Sequence, residues 1–511
     1  MTDWTGGYVA DVGYTYGYYG ELNPLRARLA LLSANLALPK SGAACELGFG
    51  QGISANVHAA GSGTRWYGTD FNPAQANFAG HLAESFSGGP QLFDQSFAEF
   101  CARDDLPDFD FIGLHGIWSW ISDDNRAVIV DFLRRKLKVG GVLYISYNTQ
   151  PGWAAMVPVR DLLNQHADML APAGAGVVAR VEGALAFAKK LWAVNPAFAR
   201  NNPQIAERLK KIEAMDRNYL AHEYFNRDWV PMSFADMAAA LAPAKIDFAC
   251  SATYLDHLPN LGMTQEQLAL LDELPDPVFR QSTRDFMVGQ QFRRDYWVKG
   301  ARKLNPLEYR EQLRAQRVVM VAPRDSVTMT VKGVLGEATL TDAIYRPILD
   351  LMSDHQVRGV GEIEHALREH AIPLASLHQA LMVLTEKAAL APAHDEATIA
   401  AARPRTDQLN RLLLDRARGS GEINYLASPV LGGAVTLTRF PQLFILAIQA
   451  GKASPEEWAA YVLQIIKGQG QSIVKDGKPL QGDQANFDEL LAQATEFGSQ
   501  RLAGLRALGV L

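Results

Sequence analysis

Apolar and polar positions change period along the chain, and the changes predict its elements. Over residues 25–36 apolar side chains recur at helical spacing, and 43–47 is a short apolar strand running into glycines. Helical spacing resumes at 53–60. Residues 64–69 (TRWYGT) read as a second strand, 73–85 as a helix, 91–94 as a third strand and 109–114 (FDFIGL) as a fourth. The amphipathic stretch 124–137 is stopped by Gly140 and Gly141 ahead of a fifth strand at 142–147. Strands separated by helical stretches predict an α/β fold with a doubly wound parallel sheet.

Beyond residue 155 the pattern is helical only as far as 228. A helix, turn and strand follow at 233–249, and FRRDYWVK at 292–299 reads as a last strand. The helical block is therefore expected as an insertion between the fifth strand and two closing ones. After Leu304 short strands at 318–321, 328–331 and 337–340 precede helices at 360–369 and 374–388. That succession suggests a winged-helix-like module. The expected divisions are an N-terminal arm and lid (1–40), a core (41–154), the insertion (155–228), closing strands (229–303), the winged-helix-like module (304–400) and a helical C-terminal region (401–511).

Composition narrows the function classes. The 49 basic and 55 acidic side chains give a formal charge of −6, which argues against a nucleic-acid partner. Three scattered cysteines (Cys45, Cys101, Cys250) suit a reduced, cytoplasmic setting. The start MTDWTGGYVADVG has no basic or apolar signal-peptide region, and LFILAIQA (443–450) is far short of the roughly 20 residues a membrane helix needs. No membrane insertion is expected.

The most specific motif is Glu46-Leu47-Gly48-Phe49-Gly50-Gln51-Gly52, an acid followed by alternate glycines between a predicted strand and helix. Glycine there admits positive φ and lets a ligand approach the main chain. Ile53 stands where a dinucleotide fingerprint needs its third glycine, and no Lys-Ser/Thr follows to make a phosphate loop. The spacing E-x-G-x-G-x-G resembles motif I of class I S-adenosylmethionine-dependent methyltransferases. Asp70, with Phe71 after it, ends the second strand where an acid can accept both ribose hydroxyls; Ser96 and Phe97 follow the third, where adenine would be met. The segments ELGFGQG, LHGIWSW (114–120), SYNTQPGW (146–153), HEYFN (222–226) and FRRD (292–295) resemble bacterial methyltransferases carrying a methyltransferase regulatory domain. That family includes protein-lysine methyltransferases of outer-membrane proteins. The resemblance covers residues 14–300 clearly and the C-terminal third loosely. It implies a Rossmann-like seven-stranded sheet, S-adenosylmethionine as cofactor and, less directly, a lysine acceptor.

Further residues become candidates at the predicted strand tips. His115 is expected as a base or orienting group beside the cofactor, or alternatively as a buried histidine bonded to a carbonyl. Trp118, Trp120 and Trp153 are expected to wall the acceptor pocket, and Tyr147 and Asn148 to hold the nucleophile. Tyr14, Tyr16 and Tyr18 alternate along a glycine-rich ribbon. An extended arm would put these phenols on one face, either closing the site with Tyr14 and Tyr16 near the methyl group or packing onto the sheet edge. His222-Glu223 lacks a second His or Cys at metal-binding spacing, so no metal is expected. Three functions stay open: methylation of a protein lysine, methylation of a small molecule, or cofactor binding by a non-catalytic adaptor. The oligomeric state is equally open, a homodimer included.

Overall fold

The computed structural model describes residues 5, 7–9, 13, 15–172 and 174–511. Seven strands form the main sheet: β1 (Ala43–Leu47), β2 (Arg65–Asp70), β3 (Gln91–Asp94), β4 (Phe109–Leu114), β5 (Leu137–Asn148), β6 (Ile246–Ser251) and β7 (Phe292–Lys299). They lie in the order β3-β2-β1-β4-β5-β7-β6. Strands β1 to β5 are parallel, and β7 runs antiparallel to both its neighbours. The expected sheet is thus present, with its last strand reversed. Pairing of Asn148 with Phe292 sets the start of β7 beside the tip of β5.

Local chemistry explains where the helices begin and end. Helix α1 (Pro24–Ser33) starts on Asn23, whose side chain accepts the Leu25 N–H, with proline at the first helical position. Helix α2 (Ile53–Gly61) starts from Gly52 in the left-handed conformation. Helix α3 (Pro73–Glu84) is capped by Asn72, and α4 (Phe97–Cys101) by a reciprocal Ser96–Glu99 box. Helix α5 (Asp123–Lys136) carries two acids in its first turn and three bases in its last, complementing the helix dipole. The expected stop at Gly140 is corrected: β5 already begins at Leu137. Gly140 (φ +81°) lies within the strand, and the pairing slips between Phe109 and Phe111 instead.

The all-helical stretch comprises Val157–Met169, Val177–Ala193, Ala197–Asn201, Gln204–Glu213 and Arg217–Tyr224, with its own buried apolar cluster that includes Trp120 and Trp153. It therefore packs over the ends of β4 and β5. Helix Pro277–Val288 is fastened to the sheet by a buried charge network. Arg293 donates to Asp285 and Asp295, each at 2.7 Å, and the Tyr147 hydroxyl donates to Asp295 at 2.9 Å.

Past the sheet, Arg317–Met320 pairs antiparallel with Arg358–Gly359 and Leu390–Pro392, beside helices Asp342–Met352, Val360–Ala366 and Leu374–Glu386. A 22-residue helix, Glu396–Ala417, and a hairpin of Tyr425–Ser428 with Gly433–Thr436 then lie against α2. Every residue of α2 is buried as a result. A Cβ on Gly61 would stand 2.9 Å from the Gly432 Cα, so the two chains meet main chain to main chain. One apolar cluster runs from α1 and α2 through to the C-terminal helices.

Candidate functional site

Strand tips and the helical block enclose a cleft of about 730 Å³, within the roughly 300–1,000 Å³ usual for a small-molecule site. Its floor is the glycine turn after β1. Gly48, Gly50 and Gly52 all have left-handed φ (+74°, +57° and +69°). A Cβ on Gly48 would collide with the Ile117 side chain and one on Gly52 with Ala79, whereas one on Gly50 would meet only Gln75 Oε1, at 3.9 Å. The Gly48 N–H donates to the Thr69 carbonyl at 2.8 Å, tying the turn to β2.

Asp70 closes the turn from the other side. Its Oδ2 accepts the Gly50 N–H at 2.8 Å and its Oδ1 the Asn72 N–H at 3.0 Å. Burial nonetheless pushes its carboxyl up to about 6, against those two hydrogen bonds. Glu46, at the end of β1, is pushed to about 8 by burial and then by the charge of Asp70. Its Oε2 is buried with no partner among the described residues. Such an oxygen is costly unless a ligand donor meets it. Gln95, Ser96 and Phe97 line the same side, and Ser96 also caps α4.

The opposite half is built at β4, β5 and β7. The His115 ring stacks on Tyr19 with centroids 3.7 Å apart, and its Nδ1 lies 2.8 Å from the Tyr144 hydroxyl. Burial lowers His115 to about 4, so the imidazole is neutral near pH 7. The Gly116 N–H donates to Ser146 Oγ at 2.8 Å, holding the β4 and β5 tips together. Asn148 lines the cleft, 3 % exposed, and its amide nitrogen has no partner among the described residues. Trp120 and Trp153 also line it, Trp120 donating to the Glu223 carbonyl at 3.3 Å.

The cleft wall thus includes Glu46, Gly48, Phe49, Gly50, Asp70, Phe71, Ser96, Phe97, His115, Trp120, Asn148 and Trp153 among the residues expected from sequence. Three others are placed elsewhere. Tyr147 alternates with Asn148 along β5, so it faces the other side of the sheet and bonds Asp295. Trp118 is wholly buried with its indole N–H on the Met232 sulfur at 3.2 Å. Tyr16 packs edge-on against Phe78, centroids 5.1 Å apart. Gly52 acts from below the wall as the cap of α2. Tyr14 lies outside the described residues.

Of the two arrangements expected for the tyrosine ribbon, Tyr16 and Tyr18 take the packing one rather than closing the site. Tyr16 and Tyr18 turn away from the cleft, Tyr18 to His58 Nε2 at 3.1 Å and to the Tyr425 ring. Thr15, Gly17 and Tyr19 face the cleft. Tyr16 and Tyr18 find aromatic partners in Phe78, His58 and Tyr425 on the core side. A Cβ on Gly17 would stand 2.6 Å from the Tyr19 hydroxyl, so glycine there lets Tyr19 fold back.

Reasoning from sequence missed the roof. Tyr8, Arg208, Tyr219, His222, Glu223 and Asp228 all line the cleft. The Tyr8 ring touches Phe71 and His222 at 5.7 and 5.6 Å. Burial raises the Tyr8 phenol, helped by the charges of Asp70 and Glu223, and raises that of Tyr19, helped by Glu223 and Glu46. Both phenols therefore stand between acids of the floor and an acid of the roof. The HEYFN segment was the one sequence signal pointing to this region.

Comparison with known proteins matches this geometry. Residues 216–299 match the family described as a predicted methyltransferase regulatory domain. The fold is similar to PKMT2 from Rickettsia typhi in complex with AdoHcy, with a TM-score of 0.67 at 17 % identity over 94 % of this chain and 98 % of that one. Fold, glycine turn and regulatory domain together define a class I S-adenosylmethionine-dependent methyltransferase. The chain is 37 % identical over 512 residues to the protein sll1526 of Synechocystis sp., covering 99 % of each, and it belongs to that protein's family. The protein RP789 of Rickettsia prowazekii is 24 % identical over 218 residues, 40 % of this chain and 37 % of that one. The residues present fit the cofactor: an orphaned buried carboxylate oxygen, an uncrowded glycine and an acid at the tip of β2 stand together in one cleft.

Proposed function

We propose that this methyltransferase N-methylates lysine side chains of a protein acceptor. S-adenosylmethionine supplies a methyl group on a positively charged sulfur. Gly48, Gly50 and Asp70 would hold its ribose and main-chain-facing edge, with Ser96 and Phe97 toward the adenine. Glu46 would meet a cationic or hydrogen-bond-donating group of the amino-acid portion.

The observation that carries the lysine reading is the acidic, aromatic roof. Glu223 lines the cleft opposite the glycine turn, with Asp228, paired to Arg227 at 3.1 Å, near it and Tyr8, Tyr19 and Tyr219 between. Acids attract an ammonium group, and aromatic faces accommodate it by cation–π contact worth about 0.5–2 kcal/mol each. A lysine amine, with a reference pKa near 10.4, must shed its proton to become a nucleophile, and burial among aromatic walls favours the neutral amine. Asn148, buried on the cleft wall, would orient that amine by accepting an N–H through its side-chain carbonyl, leaving the lone pair free. His115 is neutral near pH 7 and so adds no positive charge beside two cationic reactants. It is better suited to orienting the reactants than to removing a proton, because a group with pKa about 4 is a weak base.

The small-molecule alternative draws on the same cleft volume, but a metabolite site does not require acids on the roof as well as the floor. Incubation with methyl-labelled S-adenosylmethionine and host lysate, split into protein and small-molecule fractions, separates the two. Acid-stable label on protein lysines is the expected result. Label confined to small molecules would move the acceptor to that class. In the same assay Glu223→Gln should lower labelling about tenfold while leaving AdoHcy affinity near that of the parent.

A further inference from the structure

Among the acids of the roof stands one arginine. Arg208, on helix Gln204–Glu213, lines the cleft half-buried, its guanidinium 3.9 Å from the centroid of the Trp153 ring, which in turn packs edge-on against Tyr224 with centroids 5.9 Å apart. Other arginines set into this part of the molecule are matched with carboxylates. Arg293 lies between Asp285 and Asp295, Arg294 meets Glu21, and Arg26 meets Glu386 at 2.7 Å. Arg208 has no carboxylate within ion-pair distance among the described residues. Its sequence neighbour Glu207 turns outward to Lys210 at 2.7 Å. A guanidinium stacked on an indole keeps its N–H edge available for bidentate binding of a carboxylate.

The sheet order says which reactant that carboxylate belongs to. The glycine turn, Asp70 and Ser96 stand at the tips of β1, β2 and β3, on one side of the sheet. Trp153, which carries Arg208, follows the tip of β5, and Gln291 and Phe292 beside it on the cleft wall lead into β7, on the other side. The cofactor's adenosine belongs to the first side, which leaves Arg208 on the side where the acceptor enters. Glu223 supplies negative charge on the same roof, while Asp228 is paired with Arg227 at 3.1 Å. An acceptor matching both signs carries an amine and, a short distance away, a carboxylate.

We propose that Arg208 is a specificity contact for the acceptor, and that the enzyme selects lysines flanked by aspartate or glutamate. This rests on the lysine reading above and narrows it. The guanidinium binds the flanking carboxylate while Glu223 draws in the ammonium, fixing the direction in which the acceptor segment crosses the cleft. Trp153, itself packed against Tyr224, holds the guanidinium in place.

The test is an array of lysine peptides offered with methyl-labelled S-adenosylmethionine, in which each flanking position carries either Asp/Glu or Asn/Gln. The parent protein should label acidic-flanked peptides at least about tenfold more than their amide counterparts. In Arg208→Gln that ratio should fall to about one, with Arg208→Lys between the two. AdoHcy affinity by calorimetry, and melting temperature, should match the parent in both variants. An unchanged ratio in Arg208→Gln, or no acidic preference in the parent, overturns the assignment while leaving lysine methylation standing. Loss of AdoHcy affinity in Arg208→Gln would give the guanidinium to the cofactor's own carboxylate and overturn it equally. If free lysine is methylated and no peptide is, the acceptor is a small molecule and both readings fall.

Discussion

Glu46 and Asp70 show how one cleft sets the titration of its own acids. Both titrate higher in the folded protein than their ordinary 4.5 and 3.8, at about 8 and about 6, because burial disfavours the charged form. Each therefore contributes stability that is full below its unfolded pKa and fades as pH rises through the folded value. The ligand-free protein should melt at progressively lower temperature from about pH 4 to about pH 8, and Glu46→Gln should flatten most of that slope. A melting temperature that rises over the interval would contradict the burial of Glu46. A cationic ligand favours the carboxylate, so affinity for S-adenosylmethionine should climb over the same interval in the parent and not in Glu46→Gln. At this scale the sequence was readable where function is local in the chain. Glu46, Asp70 and Ser96 each follow a strand whose end is marked by its own turn residues. It was not readable for the tyrosines, where period 2 allows either face and only the partners of Tyr16 and Tyr18 decide.

The glycine turn and α2 act as units at the scale of elements. Gly48 needs both a positive φ and the absence of a Cβ, since Ile117 occupies that space. Gly48→Ala should cost about 2–4 kcal/mol, seen as a lower melting temperature and lost AdoHcy binding, whereas Gly63→Ala, where nothing stands within 4 Å and φ is ordinary, should be near neutral. Equal effects of the two changes would mean the turn is not held as described. Tyr18 provides the complementary test for the ribbon. Its ring is fixed by His58 and Tyr425, and its neighbour Tyr19 stacks on His115. Tyr18→Ala should destabilise by about 3 kcal/mol and lower turnover through the loosened Tyr19; a stability loss with turnover intact would separate the ribbon from the site. Helix α2 had announced its surroundings in sequence, because residues 53–61 contain no acid and a single histidine as their only ionisable group. A helix with no charged face is one covered on every side.

Across the whole molecule, the cleft and the C-terminal region depend on the same core. Helix Glu396–Ala417 and the hairpin beyond it complete the burial of α2, whose first residue follows directly from the glycine turn. A fragment ending at residue 303 would expose that face, and we expect it to aggregate or to fail to bind AdoHcy. A soluble, monomeric fragment with parental affinity would show instead that the catalytic half stands alone. Strand positions and strand ends were largely legible, since each strand carries its own apolar run and turn, whereas the strand order and the reversal of β7 were not. The roof was not, because Tyr8, Arg208, Glu223 and Asp228 come from segments far apart in the chain whose meeting no local pattern records. Only the mutual packing of the insertion, the N-terminal arm and the strand tips brings them over the glycine turn.

The central claim is that Glu46, the glycine turn and Asp70 grip a nucleoside-bearing sulfur cofactor in this cleft. Isothermal titration of the full-length protein with AdoHcy tests it most directly. The account predicts saturable one-to-one binding that Asp70→Ala weakens by at least about tenfold, or about 1.4 kcal/mol. Absence of binding heat, or an Asp70→Ala protein that binds as tightly as the parent, would contradict it.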